Sequence, residues 1–148
     1  MVNNTKKVND DYSIAGQVTP EQLQQAADEG FKSVLNVRSP DESGVLVDEQ
    51  QQANASGLEY ANVPLSNTHL DTSKVAQAIE ALGDLPKPVL IHCGAGARAG
   101  GIALIATAIQ EGLTLEELTV KAEEIGLNLD QPHLKKFVEE QYLEKKEE

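Results

Sequence analysis

The run from Pro88 to Ile109 constrains the fold more than any other stretch of the chain. Pro88-Val89-Leu90-Ile91 is short, branched and apolar, as suits a buried strand. After Arg98, the residues Ala99, Gly100, Gly101, Ile102, Ala103, Leu104, Ile105, Ala106 and Ile109 read as a helix with almost no polar face. A helix that is apolar all round has to be covered on all sides.

Elsewhere strands and helices alternate. Tyr12 to Ala15 is a short first strand. Thr19-Pro20-Glu21-Gln22 supplies a capping threonine, a proline at the first helical position and a glutamine for a capping box, starting a helix that runs to Glu29 and stops at Gly30. Ser33 to Val37 reads as a buried strand and Arg38 to Glu42 as the loop at its carboxyl end. A polar helix over about Leu46 to Ala55 ends at Gly57, and Glu59 to Val63 forms a strand before Pro64. Thr72 caps a helix over Ser73 to Leu82 that ends near Gly83. Thr114-Leu115-Glu116-Glu117 opens a helix to about Glu124, and Asp130-Gln131-Pro132 opens the last one.

This alternation predicts an α/β fold with a mainly parallel central sheet of about four or five strands and helices on both faces. At 148 residues the chain fits one domain. Residues 1–11, rich in Asn, Lys and Asp, are expected to form a flexible arm, residues 12–143 the domain, and residues 144–148 a charged tail. In parallel sheets ligands bind at the carboxyl ends of strands, where Arg38, the segment after Pro64, and Cys93 would gather.

The sole cysteine lies in the loop His92-Cys93-Gly94-Ala95-Gly96-Ala97-Arg98, between the apolar strand and the apolar helix. Strand, glycine-containing turn and helix start aim several backbone N–H groups and the positive end of a helix dipole at one point. Those donors and the nearby Arg98 favour thiolate over thiol, which would make Cys93 a nucleophile. Arg98 offers a planar fork suited to two oxygens of a phosphate, sulfate or arsenate. Gly94, Ala95, Gly96 and Ala97 supply the N–H groups, and the two glycines let the backbone approach an anion closely. A buried structural cysteine followed by a tightly packed helix is the alternative reading, and the neighbouring His, Gly and Arg weigh against it.

His-Cys, glycines and a closing Arg before a helix resemble the active-site loop of cysteine-dependent phosphatases. Further stretches resemble the bacterial beta-lactamase-hydrolase-like phosphatases: Ser13-Ile14-Ala15-Gly16-Gln17, Gly30-Phe31-Lys32-Ser33-Val34-Leu35-Asn36-Val37-Arg38, Gly57-Leu58-Glu59-Tyr60 and Val63-Pro64. With the cysteine loop these cover about residues 10 to 110. The resemblance implies a protein-tyrosine-phosphatase-like fold, a cysteinyl-phosphate intermediate, and no metal or other cofactor. Phosphate monoesters, with phosphotyrosine or a small aryl phosphate foremost, are the implied substrates, on a protein or a small molecule.

Two departures from the usual tyrosine-phosphatase loop stand out. Four residues, rather than five, separate Cys93 from Arg98. The shorter spacing is shared with rhodanese-type sulfurtransferases, so a persulfide on Cys93 is the rival chemistry. Ala99 stands where those phosphatases place a serine or threonine that stabilises the departing thiolate, which predicts slow breakdown of a covalent intermediate. It also leaves room for a third reading, a non-catalytic phosphate-binding module.

A phosphate ester leaves slowly unless its oxygen is protonated, so a general acid is expected opposite the thiolate. Asp71 is the first candidate, from the loop Ser66 to Asp71, where related phosphatases keep their acid. Its other reading is a carboxylate that merely favours the N-terminus of the following helix. Asp41 and Glu42 are rivals from the loop after the second buried strand, and His69 is a weaker one. Arg38 lines the same pocket or clamps Asp41 or Glu42. His92 is read as a support that orients the loop through backbone carbonyls. His133 is read as surface decoration. The three histidines lack paired ligand spacing and Cys93 is alone, which gives zinc little support.

Composition narrows the partners. The formal charge of −12, from 24 acidic against 12 basic residues, disfavours nucleic acid and anionic membrane, both of which need a basic footprint. The same field disfavours highly anionic substrates such as phosphoinositides. With one cysteine, protection of the thiol from oxidation would need an external thiol. Met1 to Asp11 lacks the apolar stretch of a secretory signal and no run reaches the length of a membrane span, so the cytoplasm is the expected location.

Overall fold

A computed structural model describes residues 5–39, 48–65, 72–94 and 97–126. In chain order these residues form β1 (Lys6–Lys7), β2 (Tyr12–Ala15), α1 (Pro20–Asp28), β3 (Ser33–Asn36), α2 (Glu49–Ala55), β4 (Glu59–Asn62), α3 (Thr72–Asp84), β5 (Val89–His92), α4 (Ala97–Glu111) and α5 (Leu115–Glu124). The strands make one sheet in the order β1-β2-β5-β3-β4. β1 runs antiparallel to β2, and the remaining pairs are parallel. This is the mainly parallel α/β sheet that the alternation predicts.

The pleat sorts the core into two layers. Tyr12, Ile14, Leu35, Val89 and Ile91 face one way and pack with Val75, Ala78 and Leu82 of α3, with α4, and with Leu118 and Ala122 of α5. Ala15, Val34 and Leu90, out of phase with them, face the other way and pack with Leu23 and Ala26 of α1 and Ala53 of α2. Both layers follow from the two-residue period of a strand. α4 lies in the thicker layer, and its buried Ile102, Ala103, Leu104 and Ile105 match the absence of a polar face in the sequence.

Two of the expected caps form, while Thr72, expected as a cap, is the first residue of α3. Thr19 and Gln22 close a capping box at α1, with Pro20 at its first position, and Thr114 and Glu117 close another at α5. Gly57, after α2, has a φ of +88°, a conformation glycine adopts without the penalty of a Cβ.

Several boundaries differ from the expectation. The arm expected over residues 1–11 is in part structured: Asn9 accepts from the N–H groups of Asp11 and Tyr12 at 2.8 Å each, a turn that folds β1 back on β2 and buries Val8. α2 begins at Glu49 behind Asp48. α3 continues through Gly83 to Asp84. Val37 and Val63 lie just past their strands but still donate to His92 and Asn36, both at 3.0 Å. The last helix, the tail and His133 lie outside the described residues.

Candidate active site

Register alone gathers the site. Ala15, His92, Asn36 and Asn62 stand side by side at the carboxyl ends of β2, β5, β3 and β4. The residues that follow these ends, Gln17, Cys93 with Gly94, and Arg38, therefore emerge together.

The pleat then divides the His-Cys pair. Cys93 continues the phase of Val89 and Ile91 and faces α4, while His92 continues the phase of Leu90 and faces α2. Cys93 is 1% exposed. Its backbone N–H donates to the Ala15 carbonyl at 3.3 Å, and its Sγ accepts from the Ala99 N–H at 3.5 Å. That N–H belongs to the first turn of α4, where backbone donors have no partner inside the helix.

Two guanidinium groups meet at Gly94. A Cβ added there would stand 3.5 Å from Nη2 of Arg98 and 3.6 Å from Nε of Arg38, so the missing side chain leaves both cations against bare backbone. Arg98 donates from Nη1 to the Leu65 carbonyl at 2.7 Å, which ties α4 to the segment after β4. Arg38 donates from Nη1 to Gln17 Oε1 at 2.9 Å. The Arg38 backbone is held too, its N–H by Asn36 Oδ1 at 2.8 Å and its carbonyl by Asn62 Nδ2 at 3.1 Å. Both arginines are buried, at 5% and 8% exposed.

Behind Cys93 lies a polar cluster that sequence reasoning missed. Glu49, the first residue of α2, is 2% exposed, and its Oε2 lies 2.5 Å from Nε2 of the fully buried His92. Its Oε1 accepts from Gln17 Nε2 at 2.9 Å. The other ring nitrogen of His92, Nδ1, is 3.4 Å from the Cys93 carbonyl oxygen. Burial alone would push the Glu49 carboxyl up. The hydrogen bond and charge of His92, with hydrogen bonds from Gln17 and Tyr60, outweigh it and hold Glu49 below its ordinary value. Burial also pushes the Tyr60 phenol up, reinforced by the Glu49 charge and by the hydrogen bond to Glu49, while Asn36 Nδ2 donates to its oxygen at 3.0 Å.

Of the residues singled out in the sequence, Cys93, Arg98, Arg38, Gly94 and His92 come together. Ala97 opens α4. Asp71, Asp41, Glu42, His69, Ala95 and Gly96 lie outside the described residues. Gln17 and Asn36 fall within the stretches that carry the family resemblance, a signal that could have marked them. Glu49 gives no such signal, because it sits in a polar run that reads as a solvated helix face. Among the described residues no group of His, Cys, Asp and Glu could hold a metal ion, and no helix is long and apolar enough to cross a membrane.

Residues 4–110 match the family described as Beta-lactamase hydrolase-like protein, phosphatase-like domain. A Beta-lactamase hydrolase-like protein of Agrobacterium fabrum is 28% identical over 97 residues, 63% of this chain and 22% of that protein. One of Xylella fastidiosa is 25% identical over 126 residues, 82% of this chain and 29% of that protein. The chain thus spans only a minor part of these curated relatives. Among solved structures, Tk-PTP in its active form superposes with a TM-score of 0.80 at 17% identity, covering 96% of this chain and 98% of its own. PTPMT1 in complex with PI(5)P gives 0.72 at 15% identity, covering 93% and 96%. TpbA of P. aeruginosa in complex with pTyr gives 0.63 at 14% identity, covering 80% and 70%. These likenesses make the fold protein-tyrosine-phosphatase-like.

Proposed function

Because this chain belongs to the family of phosphatase-like domains of Beta-lactamase hydrolase-like proteins, we propose that it is a cysteine-dependent phosphatase acting on phosphate monoesters, with phosphotyrosine or a small aryl phosphate as substrate. The observation that carries this reading is the convergence at the end of β5: the Cys93 sulfur under the Ala99 N–H, and the guanidinium groups of Arg98 and Arg38 both against Gly94.

The Cys93 thiolate attacks phosphorus in line. The S–P bond forms as the bond from phosphorus to the leaving oxygen breaks, and Arg98 with the N–H groups of residues 94 to 98 holds the three equatorial oxygens. Asp71 is our assignment for the acid that protonates the leaving oxygen, with Asp41, Glu42 and His69 as the alternatives. Water then attacks phosphorus, the S–P bond breaks, and inorganic phosphate departs from a regenerated thiolate. Ala99 brings no hydroxyl to that second step, so breakdown of the phosphocysteine is the slow one.

Depth favours an aryl ester. With Cys93 1% exposed, phosphorus has to reach a sulfur at the floor of the site, which suits a long, slim leaving group. The pTyr held by TpbA fits that chemistry. The formal charge of −12 weighs against a polyanionic lipid headgroup such as that of PI(5)P, the ligand of PTPMT1.

The test is hydrolysis of an aryl phosphate by wild type and Cys93→Ser. Turnover that vanishes in the variant supports the reading, and equal rates overturn it. The four-residue spacing favours a second reading, sulfur transfer through a Cys93 persulfide. Thiosulfate-dependent conversion of cyanide to thiocyanate, with the persulfide seen by intact mass, would put that reading first.

A further inference from the structure

The cluster behind Cys93 takes no part in the steps above, yet it contains a carboxylate that is 2% exposed and has to be matched by its partners. Gln50, Gln51 and Gln52 follow it in the chain, so a neutral amide is no stranger to this helix. What a carboxylate adds is charge, and its two oxygens are committed in two directions. Oε2 meets His92 Nε2, while Oε1 meets Gln17 Nε2. His92 passes the contact to the Cys93 carbonyl through Nδ1. Gln17 passes it to Arg38 through Oε1, and its backbone N–H donates to the Gly94 carbonyl at 3.1 Å. An imidazole satisfies two acceptors, here a carboxylate and a carbonyl, only when both nitrogens carry protons.

We propose that Glu49 is a positioning residue that holds His92 as an imidazolium behind Cys93, favouring the thiolate, and that aligns Arg38 through Gln17. The proposal rests on the reading of Cys93 as the reactive nucleophile. The groups around the pair are Tyr60 from β4, Arg38 from the segment after β3, and Arg98 with the first-turn N–H groups of α4 on the sulfur side. Among these and Glu49, only Glu49 brings a negative charge to the histidine. Nε2 of the ring meets the carboxylate and Nδ1 meets the Cys93 carbonyl, so of the two charges the positive one adjoins the cysteine.

Alkylation by iodoacetamide reads Cys93 without reference to any substrate: the thiolate forms an S–C bond and iodide leaves. The chain has one cysteine, so the signal is unambiguous. In Glu49→Gln the alkylation rate at neutral pH should fall about tenfold, and the pH of half-maximal rate should rise by about one unit. His92→Asn should shift the profile in the same direction, and the double variant should lose no more than Glu49→Gln alone, because the His92 contribution passes through its contact with Glu49. A folded Glu49→Gln protein with the wild-type alkylation profile overturns the proposal, as do additive losses in the double variant. If Glu49→Gln fails to fold cooperatively, His92→Asn carries the test, and an unshifted profile there overturns the proposal equally. Alkylation that responds to Glu49 in a protein without aryl phosphatase activity removes the phosphatase reading and keeps this one. Turnover with alkylation indifferent to Glu49 removes this one alone.

Discussion

Arg98 and Arg38 reach Gly94 together but are held differently, and the difference predicts separate kinetic effects. Arg98 is pinned to the Leu65 carbonyl and stands in the first turn of the helix that also supplies the Ala99 N–H to sulfur. In the proposed mechanism its planar fork cannot be replaced by an ammonium, so Arg98→Lys should lower kcat/KM for an aryl phosphate by about 100-fold or more, as loss of an oxyanion donor does. Arg38 is held through Gln17 and does not belong to the helix that donates to the sulfur. Arg38→Ala should raise KM by about tenfold with a smaller fall in kcat, the pattern of lost binding common to ground and transition states. Steady-state kinetics on the two variants separates these, and a kcat effect as large for Arg38 as for Arg98 would contradict the division of roles. Glu49 makes a pH prediction as well. A carboxyl held below its ordinary 4.5 stabilises the fold at every pH above that value, and the contribution is lost as pH falls through the lower, folded value. The melting temperature of Glu49→Gln should therefore lie below wild type at pH values just above 4.5. The margin should shrink once pH drops below about 4.5. A margin that widens on acidification would mean that Glu49 is the strained partner of its pair.

At the scale of elements, the helix caps and the strand pleat carry the fold, and only the second carries the site. The Thr114 cap lies on α5, against the layer away from His92 and Glu49, so Thr114→Ala should cost about 1 kcal/mol in denaturant unfolding. It should leave aryl phosphate kinetics unchanged, and a kinetic effect would show that α5 is coupled to the loop after β5. The same elements explain what could be read from the chain. Caps, glycine stops and branched apolar runs are local signals, so α1, α5, β3 and β5 were legible within a residue or two. Cys93, Arg98 and Gly94 were legible because they are contiguous and chemically distinctive. The Glu49 contact with His92 was not, because it depends on a parallel register that aligns β5 with β3 and on a pleat that turns His92 toward α2. Neither leaves a mark in the residues near Glu49. β1 was hidden for a similar reason: two exposed lysines have no strand signature, and the Asn9 turn that folds them back is visible only with Tyr12 in place.

For the molecule as a whole, in the proposed phosphatase reaction the formal charge of −12 and the two buried arginines act on a phosphate ester over different distances. At about 0.01 M salt the Debye length is about 30 Å, and the acidic surface repels an approaching dianion before it enters the site. At about 0.15 M the length falls to about 8 Å and that repulsion is mostly screened, while the buried guanidinium groups lose much less of their attraction. Raising salt over this range should therefore increase kcat/KM for an aryl phosphate dianion by about twofold, the reverse of what a basic, steering surface produces. Iodoacetamide is neutral, so its rate with Cys93 should stay flat over the same range and report any salt effect on the site itself. A fall in kcat/KM with salt, against flat alkylation, would show that the local field of Arg98 and Arg38 extends past the acidic surface and draws the substrate in.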